Sequence, residues 1–236
     1  MRIKATDSPE VLLELAAGTG ILTQQLAQAL PSSTILASDL NLPMLEIARE
    51  RLGSTDNVRF AVANAMSIEL ADASVDALAC QFGVMFFPDK VESFREARRV
   101  LKPDAPYWFN SWGNHGENPF AEIAYDITAQ IFPQDPPAFY KLPFSYPDPV
   151  QIEADLRLAG FSDVVVETVS IDQPVADWNA FTEGIVYGNP LHTELAAREG
   201  PDTEQVRSQY KHRLIERFGE TPTTMPLLAH VVRASG

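Results

Sequence analysis

The order of apolar runs along this 236-residue chain predicts an α/β fold: a doubly wound, mostly parallel seven-stranded sheet with a small helical cap after strand five. Three observations predict it. Short, nearly continuous apolar runs end in turn residues, as strands buried on both faces do. Stretches with apolar residues at helical spacing separate them, and strand alternating with helix is the signature of a parallel doubly wound sheet. The alternation then breaks after residue 112 at a proline- and aromatic-rich segment, which marks an insertion rather than another repeat of the pattern.

Val11-Leu12-Leu13-Glu14-Leu15 is the first such run and leads into glycines. Ile21 to Leu30 follows as a helix stopped by Pro31, and Thr34 to Ser38 as the second strand. Asn41 is placed to cap the next helix, with Pro43 in its first turn and Met44, Leu45, Ile47, Ala48 and Leu52 on one side. Val58 to Ala63 and Val75 to Cys80 read as strands three and four. Val91, Phe94, Ala97, Val100 and Leu101 give the helix that precedes strand five at Pro106 to Trp112.

Between Pro133 and Pro149 stand six prolines, accompanied by Phe132, Phe139, Tyr140, Phe144 and Tyr146. Asp148-Pro149 is a cap plus first-turn proline for a helix to Ala159, stopped by Gly160. Phe161 to Ile171 alternates like a strand, Trp178 to Arg198 is partly helical, Thr203 to Phe218 is a helix, and Met225 to Arg233 closes as a strand. The chain therefore reads as a single domain over 1–236, with 113–147 and 175–200 as cap or substrate-side insertions.

Composition limits the function classes. A chain that is 45% hydrophobic and 21% charged is that of an ordinary globular protein. No apolar run reaches the roughly 18 residues of a membrane span, and Met1 to Asp7 has no apolar signal-peptide core. With Cys80 as the single cysteine, a cytoplasmic location is expected. The net charge of −14 lies mainly in the second half and argues against nucleic acid as a partner. The one basic cluster, Arg95, Arg98, Arg99 and Lys102, falls late in a helix, where it complements the dipole.

The chemistry concentrates at strand ends. In Glu14-Leu15-Ala16-Ala17-Gly18-Thr19-Gly20, small residues let a ligand approach the backbone ahead of a helix start. A Gly-x-Gly turn alone is a weak signal. Glu14 adds an acid that is costly to bury without a cation or donors, which suits a cationic ligand and not a pyrophosphate. Asp39 ends strand two, where an acid can accept from both hydroxyls of a ribose or simply cap the next helix. Asn64, in Ala63-Asn64-Ala65-Met66, ends strand three, either meeting a base edge or forming a turn.

These strand ends together resemble the class I S-adenosylmethionine-dependent methyltransferase family, in its small-molecule, ubiquinone/menaquinone-biosynthesis-like branch. The resemblance spans roughly residues 10–112. It implies a Rossmann-like methyltransferase fold with S-adenosyl-L-methionine as cofactor and a small-molecule methyl acceptor, the methyl moving by in-line displacement. Glu14 would lie under the methionine amino group, with Ala16, Gly18 and Gly20 lining the cofactor. Asp39 matches the ribose-binding acid, Leu40 and Met44 flank the adenine, and Asn64, Ala65 and Met66 read it. Gln81 and Phe82, after strand four, continue the cofactor wall. Phe87-Pro88-Asp89 through Leu101-Lys102-Pro103 resembles the family's helix leading into strand five.

Two departures stand out. Asn64 takes the place of the family's usual aspartate. Only about ten residues precede strand one, where relatives have a covering helical segment. That leaves open an abbreviated chain, a cover supplied by the partner subunit of a homodimer, or an open site. His115, just beyond strand five, is the candidate general base, against the alternative of an ordinary loop histidine. His192, His212 and His230 are scattered, and no metal site is expected. Phe86, Phe87, Trp112, Tyr140 and Tyr146 are candidates for an apolar acceptor pocket. A nucleotide-dependent oxidoreductase would want a third glycine where Thr23 stands and no acid at Glu14. A non-catalytic cofactor-binding or scaffold domain of the same fold is the other open reading.

Overall fold

Strand β1 (Val11–Glu14) is apolar and almost wholly buried because it runs through the middle of a seven-stranded sheet, ordered β3-β2-β1-β4-β5-β7-β6. The structure is a computed structural model that describes residues 9–236. Met1 to Asp7, the stretch considered for a signal peptide, lies outside the described residues. From β1 the chain passes through helix α1 (Ile21–Ala29) to β2 (Thr34–Asp39), then through α2 (Leu42–Leu52) to β3 (Val58–Val62). It then returns to the other side of β1 as β4 (Ala77–Gln81), and continues through α3 (Lys90–Val100) to β5 (Tyr107–Trp112). The pairs β1–β2, β2–β3, β1–β4 and β4–β5 are all parallel. Reversal of direction beside β1 makes its carboxyl end the switch point, where open α/β sheets bind ligands.

Past β5 come α4 (Pro119–Ile131), α5 (Pro149–Leu158), β6 (Asp163–Val175), α6 (Trp178–Tyr187), α7 (Leu191–Ala196), α8 (Thr203–Phe218) and β7 (Thr223–Ser235). The chain divides into two compact units. One comprises the chain up to Ser111 with Asp148–Glu167 and His230–Gly236; the other comprises Trp112–Pro147 and Thr168–Ala229.

In the first unit, the caps predicted at Asn41 and Asp148 form: Asn41 Oδ1 accepts from Met44 N at 3.4 Å and Asp148 Oδ1 from Val150 N at 2.9 Å. Helix α3 is capped by Asp89, whose Oδ1 accepts from Glu92 N at 2.9 Å. Phe94, Ala97 and Val100 bury the inner face of α3, and Phe94 stacks on Phe109 with centroids 5.4 Å apart. The basic cluster is tied up locally. Arg99 pairs with Glu96 and Asp72 at 2.7 Å each, Lys102 pairs with Asp76 at 2.6 Å, and Arg98 donates to the Gly160 carbonyl at 2.7 Å. Ion pairs, a backbone contact and the helix dipole account for these residues.

The second unit is mainly helical and has its own core, built on Ile123, Ile127, Trp178, Leu191, Tyr210 and Leu214. Helix α4 lies inside the stretch from 113 to 147, which the sequence pattern marks only as an insertion. Asn118 precedes Pro119 at its first turn, and the Asn118 side chain exchanges hydrogen bonds with Leu228, donating at 3.1 Å and accepting at 3.0 Å. The proline-rich stretch folds against α7, where Glu194 accepts from Ala138 N at 2.8 Å and Arg198 pairs with Asp135 at 3.0 Å. Tyr140 and Tyr146 are buried here, and Tyr140 donates to the Ile185 carbonyl at 3.0 Å. Both are sequence candidates for an apolar acceptor pocket, and both are buried. Among the described residues no helix is long and apolar enough to cross a membrane.

Candidate functional site

At the switch point the first unit opens into a cavity of about 590 Å³. It is lined by the β1 turn from Glu14 to Thr19, by Asp39 to Asn41 after β2, by Ala63 to Met66 after β3, and by Gln81 to Gly83 after β4. Glu14, Ala16, Gly18, Asp39, Leu40, Met44, Asn64, Ala65, Met66, Gln81 and Phe82 therefore meet around one space. Gly20 does not line it. A Cβ there would stand 2.9 Å from both Ala48 Cβ and Leu52 Cδ1, so this glycine lets α1 start close against α2. Its φ of 80° adds a second reason for glycine.

The β1 turn is held from two sides. Leu15 N donates to the Ala79 carbonyl and Ala17 N to the Ser38 carbonyl, both at 2.9 Å. Ala16 sits at φ 53° and Gly18 at φ 58°, both left-handed, and both line the cavity. Asp39 locks the arrangement. Its Oδ2 accepts from Gly18 N and its Oδ1 from Asn41 N, each at 2.8 Å. The carboxylate thus joins the β1 and β2 turns and keeps one lone pair on each oxygen for a ligand.

Glu14 is the unusual group. It is 1% exposed, and its Oε2 is buried with no hydrogen-bond partner. Burial, with a further push from Asp39, raises its pKa from 4.5 to about 7, while the Thr23 hydroxyl pulls the other way. Thr23 Oγ1 stands close enough to have that effect without reaching hydrogen-bonding geometry. A buried carboxyl oxygen without a donor is a standing energetic liability, and a cationic ligand beside the carboxyl relieves it.

On the far wall, Phe82 adopts φ 51° and its N–H donates to Asn110 Oδ1 of β5 at 3.0 Å. Gly83 follows for a steric reason: a Cβ there would come within 2.5 Å of Ala16 Cβ and 2.6 Å of Cys80 Sγ. Gly83, Ile21, Leu22 and Pro88 are cavity residues that the sequence reading did not single out. Phe86 and Phe87, read above as acceptor-pocket aromatics, line this cavity. Cys80 is buried, and its thiol pKa is pushed up to about 12 by burial, so it is no nucleophile.

His115 belongs to the second unit, in a 3-10 turn over His115–Glu117, and is not among the cavity residues. Tyr125 and Phe144 meet its ring edge-on at 5.7 and 5.3 Å. Its Nε2 is buried without a partner, and burial lowers its pKa against the pull of Glu122 and Asp126.

Comparison with known proteins places this geometry in context. A family profile described as a methyltransferase domain matches residues 13–109. A demethylmenaquinone methyltransferase of Clavibacter sepedonicus is 30% identical over 177 residues, 69% of this chain and 70% of that one. The ubiquinone/menaquinone biosynthesis C-methyltransferase of Hahella chejuensis is 33% identical over 120 residues, 49% of this chain and 48% of that one. The chain thus spans about half the length of that curated relative. Among solved structures, the phosphoethanolamine N-methyltransferase 2 of Haemonchus contortus, in complex with S-adenosylhomocysteine, superposes with a TM-score of 0.60. It is 19% identical, covering 96% of this chain and 49% of that one, a likeness of fold.

Proposed function

This chain belongs to the class I S-adenosylmethionine-dependent methyltransferase family, in its ubiquinone/menaquinone-type branch, and we propose that it binds S-adenosylmethionine in the switch-point cavity and methylates a small molecule. One observation carries the reading: Glu14 is a buried acid on the cavity wall with its Oε2 unpartnered, which matches an ammonium and disfavours a pyrophosphate.

The residues present fit the cofactor. Glu14 accepts from its amino group, the free lone pairs of Asp39 take the ribose hydroxyls, and Leu40 and Met44 offer apolar surface to the base. When bound, the cofactor supplies a methyl group already activated on a positive sulfur. The chain's own work is to hold the acceptor in line and keep water out, effects worth roughly 7–11 kcal/mol in favourable cases. Phe82, Phe86 and Phe87 provide the apolar wall for that purpose. The sequence's candidate base, His115, lies in the second unit and is not among the residues lining this cavity.

The names of the relatives point to quinone-type acceptors, so an aromatic ring of that class is the first to assay. The test is transfer of labelled methyl from S-adenosylmethionine across neutral aromatic acceptors by the folded chain. Transfer is expected, and Asp39→Ala reduces it. Cofactor binding without turnover on any acceptor would favour the scaffold reading instead.

A further inference from the structure

The aromatic wall of the cavity begins where β4 ends. The parallel β4–β5 ladder runs from Leu78 beside Tyr107 to Gln81 beside Asn110 and stops there. The next amide, Phe82 N–H, donates to Asn110 Oδ1 at 3.0 Å, so an amide side chain of β5 holds the first residue past the strand end. Phe82 stands at φ 51°, where a bulky residue is a genuine outlier. Such a conformation is costly and persists only where its surroundings impose it. Gly83 follows, packed so closely that a Cβ would come within 2.5 Å of Ala16 Cβ and 2.6 Å of Cys80 Sγ. Its carbonyl then accepts from Phe86 N at 3.0 Å, closing the 3-10 turn Val84–Phe86. Phe82, Phe86 and Phe87 all line the cavity.

Asn110 is not among the residues lining this cavity. What it supplies is an acceptor for the Phe82 N–H, which an apolar side chain of the same size would not. Without that acceptor the left-handed residue loses a restraint, and its backbone is freer to relax towards an ordinary negative φ. Such a relaxation would swing the Phe82 ring and displace the start of the turn that carries Phe86 and Phe87. We propose that Asn110 is a positioning residue for cofactor binding: through the Phe82 backbone it sets the aromatic wall against which the cofactor rests. The inference rests on the cofactor reading above and adds to it a residue that stands behind the wall.

The test reads binding of S-adenosylhomocysteine to the full chain by calorimetry, with thermal melts to confirm that each sample is folded. Asn110→Leu keeps the size and removes the acceptor, and is expected to bind about fivefold or more weaker. Asn110→Asp keeps an oxygen for the Phe82 N–H and is expected to bind within about threefold of the unsubstituted protein. Should Asn110→Leu not fold, Asn110→Ala lacks the same acceptor without adding apolar bulk, and the same weakening is expected of it. The decisive comparison is made in a Phe82→Gly background, because glycine takes a positive φ without strain. There Asn110→Leu, or Asn110→Ala in its place, should cost about twofold or less. A variant without the acceptor that melts lower yet binds as tightly as the unsubstituted protein would overturn the inference, since Asn110 would then serve the fold alone. So would an equal loss of affinity in the Phe82→Gly background, since Asn110 would then act by a route other than Phe82. Failure of S-adenosylhomocysteine to bind the unsubstituted protein would strike the cofactor reading, a separate result from a wrong pattern among the variants.

Discussion

Glu14 is a carboxyl whose native environment favours its neutral form. Its native pKa of about 7 exceeds the ordinary value of 4.5, so the ligand-free native state holds a proton that the unfolded chain has released. Stability of the ligand-free protein therefore falls as pH rises from about 4.5 through 7, by about 3 kcal/mol in total. Glu14→Gln removes that slope, and chemical denaturation across this pH range is expected to show it flattened. The ligand's ammonium reverses the preference. Affinity for S-adenosylmethionine is expected to rise with pH up to about 7 and then level off, while Glu14→Gln binds weakly with little pH dependence. A second substitution separates two roles of one residue. Asp39→Ala deletes the acceptors of Gly18 N and Asn41 N, and should lower stability by about 1–3 kcal/mol as well as weaken cofactor binding. Loss of binding with unchanged stability would mean that the two turns hold themselves.

The first five strands and their helices were legible because each is locally consistent: apolar runs at strand length, a cap at Asn41, and helical spacing through Phe94 and Ala97. Helix α4 was less legible: the sequence implies a small helical cap after strand five, with 113–147 as an insertion, but gives no bounds for a helix within it. Its start depends on the Asn118 side chain meeting Leu228, a partner 110 residues away. The site divides along the same line. Glu14 and Asp39 were readable as acids at strand ends, whereas Gly83 matters for contacts across strands, to Ala16 and Cys80, that no local pattern announces. Gly83→Ala tests this. The added methyl meets the strained Ala16 turn and the core sulfur, so a loss of about 1–3 kcal/mol in stability and weaker cofactor binding are expected. Calorimetry and thermal melts on the same sample check both.

Across the whole molecule, charge and cavity act on different questions. The excess of 32 acidic over 18 basic residues predicts repulsion from phosphate backbones and a preference for neutral or cationic acceptors, but it says nothing about the fold. The cavity's ligand, by contrast, is coupled to folding, because only the native chain brings four strand ends together. S-adenosylhomocysteine at a hundred times its Kd should stabilise the protein by about 2.7 kcal/mol, raising Tm by about 5–10 °C for a chain of this length. NAD at the same concentration should leave Tm unchanged. The most direct test is titration calorimetry of the folded full chain with S-adenosylmethionine, repeated with Glu14→Gln. Saturable one-to-one binding that Glu14→Gln weakens about tenfold or more is the expected result. No binding by a folded sample, or equal binding by the Gln variant, would contradict the assignment of this cavity to a sulfonium amino acid.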